Sequence, residues 1–600
     1  MSTFETGVKD VFRFRLSVFI FVSTQLNFKE MKKIKKLEVA SVSALTILFL
    51  VLALLNIGSL SMPASYWAPG SVSGDNQIIF DFDRVQQVKE VYIFLGDEKQ
   101  TKFDVYGGEP GEWRLLSSYD NTHYCSWERI NLGNTSTRSL KFVFDASESK
   151  GKIGEILAIS GEDKIIVPIH VYAEGESDST SGGDIGRLID EQDVVDFPVV
   201  QSYKYSTYFD EVYFVRAAHD YLNLREPPEA HPPLGKLIIA GGIACFGMNP
   251  FGWRILGVLA AAVMIPLMFL FGKRMFKSSM AGLFAASLLT FDFAHFALSR
   301  LATGETYIAL FSLMMFYFFF DYLRIVSDGE DERKAEKRLF ISIVCFGLWF
   351  ATKWTAAFGL AAILILLLIS NLRNKRPFYS DYKIILAGLF VSAAIYIAAY
   401  IPYMLSGTGH GLWDVFMKQV GIFGYHAWSV VGATHPFSSA WWSWPLMLKP
   451  LWLFSNTVNG TVSTIVLMGN PAIWWGGIPA LIVIAAKFLR GAVKAGVQEQ
   501  DCLCLFILIP FILLWIPYAL ITRTLFIYHF VPAVPFMILA ITYWMNELQQ
   551  KASKVKFIAV ITVILILTAV LFFLFYPVIS GYPIAFEYKE SLRWLEGWIF

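Results

Sequence analysis

Cysteine is scarce in this chain, and charge is scarcer than a water-exposed fold of this size would need. Five of 600 residues are cysteine and 16% are charged, while 55% are hydrophobic. Cys125 lies in a polar stretch, and Cys245, Cys345, Cys502 and Cys504 lie in or beside apolar ones. So scattered a set implies no disulfide framework. Cys502 and Cys504 lack a nearby His or Cys partner, which argues for buried structural thiols rather than a metal centre. Gly-rich phosphate loops, Walker motifs and Rossmann fingerprints are missing, which speaks against a cytosolic nucleotide-sugar donor. No internal repeat is present, and no group of His and carboxylates stands at metal-ligand spacing. The formal net charge of +1 gives no ground for nucleic-acid binding.

What the chain has instead is long uncharged apolar runs, at 39–57, 255–271, 280–298, 307–320, 339–350, 357–369, 384–405, 475–488, 503–520, 527–545 and 557–576. Eleven such runs predict a polytopic α-helical membrane protein. Basic clusters at 32–36, 273–277, 333–338, 373–376, 487–494 and 551–556 all fall on one side if the spans alternate. The positive-inside rule then predicts a cytoplasmic N-terminus and an extracytoplasmic C-terminus. A further apolar stretch, 234–246, would put the Lys273 cluster outside if it crossed, so it is expected to lie at the outer interface. Residues 1–38 read as a cytoplasmic segment, and the basic run beginning at Met31 is expected to mark the true start.

After a first span within 39–60, residues 61–171 switch to short alternating segments separated by Gly, Pro, Asn and Asp. This pattern predicts strands at 77–82, 88–94, 102–106, 113–118, 139–145, 154–159 and 164–169, and hence an extracytoplasmic β-sandwich. Trp113, Tyr124 and Trp127 could stack on a bound glycan, though packing is the plainer role for at least Trp113. The acidic, Ser- and Gly-rich stretch in 172–200 is expected to be a flexible linker that tethers the sandwich to the membrane domain, 201–600.

The residues that can carry chemistry cluster outside the spans. Asp210 and Glu211 are adjacent carboxylates. A carboxylate can take the proton of a hydroxyl as that hydroxyl attacks, and the same pair could cap the helix over 212–222 or hold a divalent cation. His231-Pro232-Pro233 breaks the chain before the interfacial helix, with Lys236 expected to snorkel. Arg300 and Glu305 stand where the third span emerges, Lys353 lies between the fifth and sixth, and Arg523 precedes Phe526, Tyr528 and His529 at the outer end of the tenth. Arg300, Lys353 and Arg523 are candidate donor-phosphate ligands, with interfacial anchoring the alternative. His435, Trp441 and Trp442 sit in an aromatic outer loop that reads equally as an interfacial belt or as a sugar or acceptor surface.

From about Tyr205 onward the ordered motifs YFDEVYF, HPPLGK, SRLATGE, ATKWT, HPFSSAWWSWP, GNPAIWW and RTLFIYH resemble the protein O-mannosyltransferase family of GT-C membrane glycosyltransferases. The lines IIFDFDRVQQVKEVYIFLG, FDVYGGEPGEWRLL and RSLKFVFD resemble a discoidin-like, galactose-binding jelly roll. The first resemblance implies a GT-C fold and inverting transfer of mannose from a polyprenyl-phosphate-mannose to Ser or Thr hydroxyls of proteins. Asp210 would be the base, with Glu211 beside it. Arg300, Lys353 and Arg523 would face the phosphate, and Glu305, His435, Trp441, Trp442 and His529 the substrates. No cofactor or metal is implied. The family usually reads Arg followed by Leu-Asp where this chain has Gly304-Glu305, so the part played by Glu305 is open. Two rival readings are the same fold moving another sugar onto a lipid or cell-wall glycan, and a non-enzymatic receptor headed by the sandwich. The setting expected is a prokaryotic cell membrane.

Overall fold

In a computed structural model of the chain, the described residues are 36–600 except 69–76, 97–99, 122, 146–150, 174–183, 193–202, 229, 330, 378–379, 408, 459 and 496–498. Met31 and most of the acidic stretch lie outside them.

All eleven apolar runs are helical, as they must be if their backbone groups are to be paired inside a bilayer. The helices are α1 (Lys36–Leu54), followed after the sandwich by α2 (Glu211–Leu222), α3 (Leu234–Phe246) and α4 (Pro250–Phe276). Next come α5 (Ser279–Thr290), α6 (Phe293–Ser299), α7 (Glu305–Ser327), α8 (Glu332–Phe350), α9 (Ala356–Arg373) and α10 (Tyr382–Ala399). The last third carries α11 (Leu412–Gly424), α12 (Pro471–Ala495), α13 (Glu499–Leu513), α14 (Val534–Lys551) and α15 (Lys554–Ser580). By length and composition nine described helical stretches suffice to cross a membrane, and ten if α5 and α6, bent by 58°, form one span. The expected eleventh is α8. Glu332, Arg333, Lys334, Glu336, Lys337 and Arg338 fill its first two turns, leaving only 339–350 apolar, yet it packs along α7 and α10 like its neighbours.

The break between α5 and α6 has a polar cause. Asp292 caps α6 by accepting the His295 N–H at 3.0 Å and also takes the Trp474 indole N–H at 2.9 Å. The 13-residue α3 is too short to span, at about 1.5 Å per residue. Lys236 does not snorkel: it is 4% exposed and its Nζ donates to the His231 carbonyl at 2.9 Å, bracing the Pro-Pro turn.

The sandwich contains β1 (Gln77–Leu95), β2 (Thr101–Glu109), β3 (Glu112–Asn121), β4 (Ser126–Phe144), β5 (Ile153–Ser160), β6 (Ile165–Ile166) and β7 (His170–Ala173). They are antiparallel in the order β3-β2-β4-β1-β5-β6, with β7 on the other side of the first half of β1. The two strands expected at 77–82 and 88–94 are one, and the strand expected at 139–145 is the second part of a longer β4. Register shifts between Asp81 and Gln86 let β1 change neighbours along its length. Trp67, Phe80, Phe103, Phe142 and Phe144 form the core.

The expectation of a tethered domain is overturned in two places. Within the supposed linker, Ile185 and Leu188 of a 3-10 turn are buried in the sandwich core, and Glu155 accepts the Glu191 N–H at 2.9 Å. The domain therefore continues past 171, to about 192. On its other side Phe94, Tyr124 and Trp127 share one core with Tyr203, Tyr205 and Tyr208 of the membrane domain. Tyr124 and Trp127 are 4% and 1% exposed, so neither can stack on a sugar. Of the three aromatic candidates only Trp113 stays half-exposed, with Lys141 Nζ 4.9 Å above its ring.

Candidate active site

The loop that carries Asp210 is held from both sides. Toward the sandwich, the Thr207 N–H donates to the Cys125 carbonyl at 3.0 Å, the Thr207 hydroxyl to the Tyr124 carbonyl, and the Trp127 N–H to Ser206 Oγ at 3.1 Å. Toward the membrane helices, Arg254 of α4 donates to the Ile57, Tyr203 and Ser206 carbonyls, each at 2.7 Å. Between these clamps Phe209 adopts φ 51°, a left-handed conformation costly for an aromatic residue.

Asp210 and Glu211 are adjacent in sequence and opposite in fate. Glu211 is fully buried. It receives Arg254 Nε at 2.8 Å and Nη2 at 2.7 Å, the Ala302 N–H at 2.9 Å and the Tyr208 N–H at 3.2 Å. With every lone pair engaged it is not available as a base or as a second cation ligand, which corrects the expectation that placed it beside Asp210 in catalysis. Asp210 stands at the N-terminus of α2 but makes no capping hydrogen bond. Its carboxyl faces a cavity of about 20 Å³ with Phe209, Phe214, His231, Leu298, Leu301, Thr303, Glu305 and Tyr528. Withdrawal from water pushes its pKa up to about 6, against the pull of the Lys353 ammonium and helped by the Glu305 carboxylate.

Glu305 opens α7, where a carboxylate is favoured by the helix dipole, and it accepts Lys353 Nζ at 2.5 Å. The same ammonium is 5.1 Å from the Tyr528 ring. His231 stacks on His426 at 5.0 Å, and His426 Nε2 lies 2.6 Å from the Ala230 carbonyl. Burial first, then the nearby cations Lys353 and Arg523, hold His231 well below the usual imidazole range, and the same causes push His426 down to about 4. Both rings are therefore neutral near pH 7.

The remaining expected residues divide. Arg523 is half-buried, and its charge is felt by His231 and His426. Arg300 is 2% exposed, and its guanidinium is committed to the carbonyls of Ala53, Leu55, Asn56 and Ser580. It ties α1 and α15 to α6 with all four of its terminal N–H groups, so the phosphate expectation does not fit it. His529 is buried, stacked on Tyr528 at 4.5 Å, with Nε2 unpartnered. His435 packs edge-on to Phe526 at 5.0 Å, and Phe526 in turn meets Phe209 at 6.4 Å. Trp441 packs on Trp515 at 5.6 Å, and Trp442 is 53% exposed. The tryptophan of this loop that reaches the histidines is Trp444, fully buried and stacked on His529 at 5.9 Å. Thr303, His426, Trp444 and Arg254 were not singled out in the sequence. Only Thr303 and Trp444 stand inside motifs that were.

Comparison with known proteins adds an independent line. The family description "Dolichyl-phosphate-mannose-protein mannosyltransferase" matches residues 230–401, and "C-terminal four TMM region of protein-O-mannosyltransferase" matches 414–598. The sandwich and Asp210 precede both stretches. A polyprenol-phosphate-mannose–protein mannosyltransferase of Mycobacterium tuberculosis is 24% identical over 474 residues, covering 65% of this chain and 86% of that protein. One from Corynebacterium glutamicum is 24% identical over 431 residues, covering 61% and 81%. Among solved structures, the S. cerevisiae protein O-mannosyltransferase Pmt1-Pmt2 complex bound to the sugar donor superposes with TM-score 0.58 at 14% identity, over 66% of this chain and 89% of that one. That likeness establishes the GT-C fold.

Proposed function

The chain belongs to the protein O-mannosyltransferase family, and from that premise we propose that it moves mannose from a polyprenyl-phosphate-mannose to Ser or Thr hydroxyls of proteins. It is an integral multi-pass glycosyltransferase. In the proposed step, Asp210 takes the proton of the acceptor hydroxyl while that oxygen bonds to the anomeric carbon from the face opposite the phosphate. The bond from that carbon to the phosphate oxygen breaks, and its electrons leave with the polyprenyl phosphate. Configuration at the sugar inverts. Lys353 and Arg523 offset the charge that grows on the departing phosphate. Arg300 and Glu211 serve the architecture instead. The reading needs no metal, since the two carboxylates near Asp210 are spent on cations of the chain, Glu211 on Arg254 and Glu305 on Lys353.

The observation that carries the reading is the single unpaired carboxylate of Asp210, raised toward neutrality in an apolar cavity beside the Lys353–Glu305 pair. A base with such a pKa is poised to accept a proton near pH 7. We place the site on the extracytoplasmic side, with the N-terminus cytoplasmic, because the basic clusters gather on the opposite side of the spans. The bacterial relatives favour a prokaryotic cell membrane.

The test is transfer from radiolabelled polyprenyl-phosphate-mannose to a Ser/Thr-rich peptide, in membranes holding wild-type protein or Asp210→Asn at equal abundance. Label in the peptide with wild type alone is the expected result. Equal labelling by the variant would remove Asp210 from the mechanism, and no labelling by either would redirect the assay to other lipid-linked sugars.

A further inference from the structure

The cavity beside Asp210 contains a hydroxyl with nothing to bond. Thr303 is 3% exposed, and its Oγ1 is buried without a partner. The buried hydroxyls around it behave differently: Ser299 donates to the Phe296 carbonyl at 2.7 Å, Thr306 to the Leu298 carbonyl at 2.8 Å and Thr352 to the Leu348 carbonyl at 3.0 Å. Each of those is satisfied by a backbone carbonyl, Ser299 and Thr352 within their own helix or turn and Thr306 across to α6. Thr303 is not, because its own N–H is turned back onto the Leu301 carbonyl at 2.8 Å and its side chain lines the cavity. A buried hydroxyl left unpaired costs free energy that a valine of the same shape would avoid.

We infer that Thr303 is a specificity-determining residue whose Oγ1 hydrogen-bonds a substrate hydroxyl during transfer. The chemistry of the cavity selects that class of ligand. Beside the Asp210 and Glu305 carboxylates, His231 and Tyr528 add polar edges to a wall of hydrocarbon, a mixed lining that suits the edge of a neutral polyol. Threonine can both donate and accept, which suits a hydroxyl. Gly304 keeps the approach tight, since a Cβ there would meet Thr352 Cγ2 at 3.3 Å and Phe214 at 3.4 Å. Sugar and acceptor side chain both carry such a hydroxyl, and the inference rests on the reading of Asp210 as the base that faces both.

The test compares wild type, Thr303→Val and Thr303→Ser in the full-length protein. The first readout is thermal stabilisation by polyprenyl-phosphate-mannose, by its deoxy analogues and by other polyprenyl-phosphate sugars. The second is kcat/KM for transfer to peptide. Thr303→Val is expected to lose about tenfold in kcat/KM, with Thr303→Ser within about threefold of wild type. If the sugar supplies the hydroxyl, the deficit disappears with one deoxy donor, and stabilisation by the intact donor falls. If the acceptor supplies it, every donor shows the same deficit, and donor stabilisation is unchanged. Should mannose be the wrong sugar, wild-type transfer fails while stabilisation by the right donor still separates wild type from Thr303→Val. Equal stabilisation and equal turnover in wild type and Thr303→Val would overturn the inference.

Discussion

Arg254 closes on Glu211 through two nitrogens, at 2.8 and 2.7 Å, with both side chains fully buried. The pair fixes the start of α2 against α4 and leaves Asp210, one residue earlier, as the carboxylate that faces the cavity. Removing one partner strands a buried charge, which costs on the order of 3–5 kcal/mol. Glu211→Ala should therefore unfold at markedly lower temperature in detergent, whereas Asp210→Ala should lose transfer while keeping its melting temperature. A Glu211→Ala protein with wild-type stability would show that the ion pair does not hold this loop.

The sandwich grips the same loop. Ser206 Oγ accepts the Trp127 N–H, and the Thr207 hydroxyl donates to the Tyr124 carbonyl, four and three residues from Asp210. Small displacements of a catalytic group are expensive in rate. Ser206→Ala with Thr207→Val is expected to lower kcat about fivefold with donor KM nearly unchanged, measured at saturating peptide. A rise in KM with kcat intact would mean that the contact serves donor binding instead.

These two grips mark where sequence and structure part. The helical spans were legible because a bilayer forces long uncharged runs into helices, and α8 blurred only because its first two turns are charged. The antiparallel β domain was legible through alternation, although β1 read as two short strands and only the second part of β4 was seen. Its docking was not legible: Tyr124 and Trp127 look like surface aromatics until Ser206, Thr207 and His219 meet them. Arg254 was hidden as one cation at the head of an apolar run, and nothing local distinguishes it from a snorkelling side chain. Arg300 was misjudged for the converse reason, since its partners are backbone carbonyls, which carry no sequence signature.

The contrast between Arg300 and Lys353 is testable. Lys353→Gln removes a cation beside the cavity and is expected to lower kcat about a hundredfold in the protein that remains folded. Arg300→Gln is expected to lower thermal stability by several degrees, leaving donor KM near wild type in the protein that remains folded. Reversed outcomes would return Arg300 to the phosphate.

Metal dependence follows from the same geometry. With Glu211 engaged by Arg254 and Glu305 by Lys353, neither carboxylate near Asp210 is free to serve as a second ligand. Transfer by membranes washed with EDTA should equal that of untreated membranes. Activity lost to EDTA and restored by Mg²⁺ or Mn²⁺ would require a site built from other residues.

The pH dependence has a defined sign. Asp210 must be ionised to accept a proton, so kcat/KM should rise with pH through a midpoint near 6 and level off above about 7. Lys353 lowers this pKa and Glu305 raises it, so Lys353→Gln should move the midpoint up and Glu305→Gln should move it down. Stability runs the other way. The folded carboxyl holds its proton more tightly than the unfolded one, whose ordinary value is 3.8. Its contribution therefore favours folding at low pH and is lost as pH rises through about 6. Asp210→Asn should consequently melt above wild type at pH 8, with the gap closing toward pH 4, while transfer is abolished at both. A pH–rate profile without a limb near 6, together with identical melting of the two proteins at pH 8, would mean that Asp210 is neither perturbed nor the base.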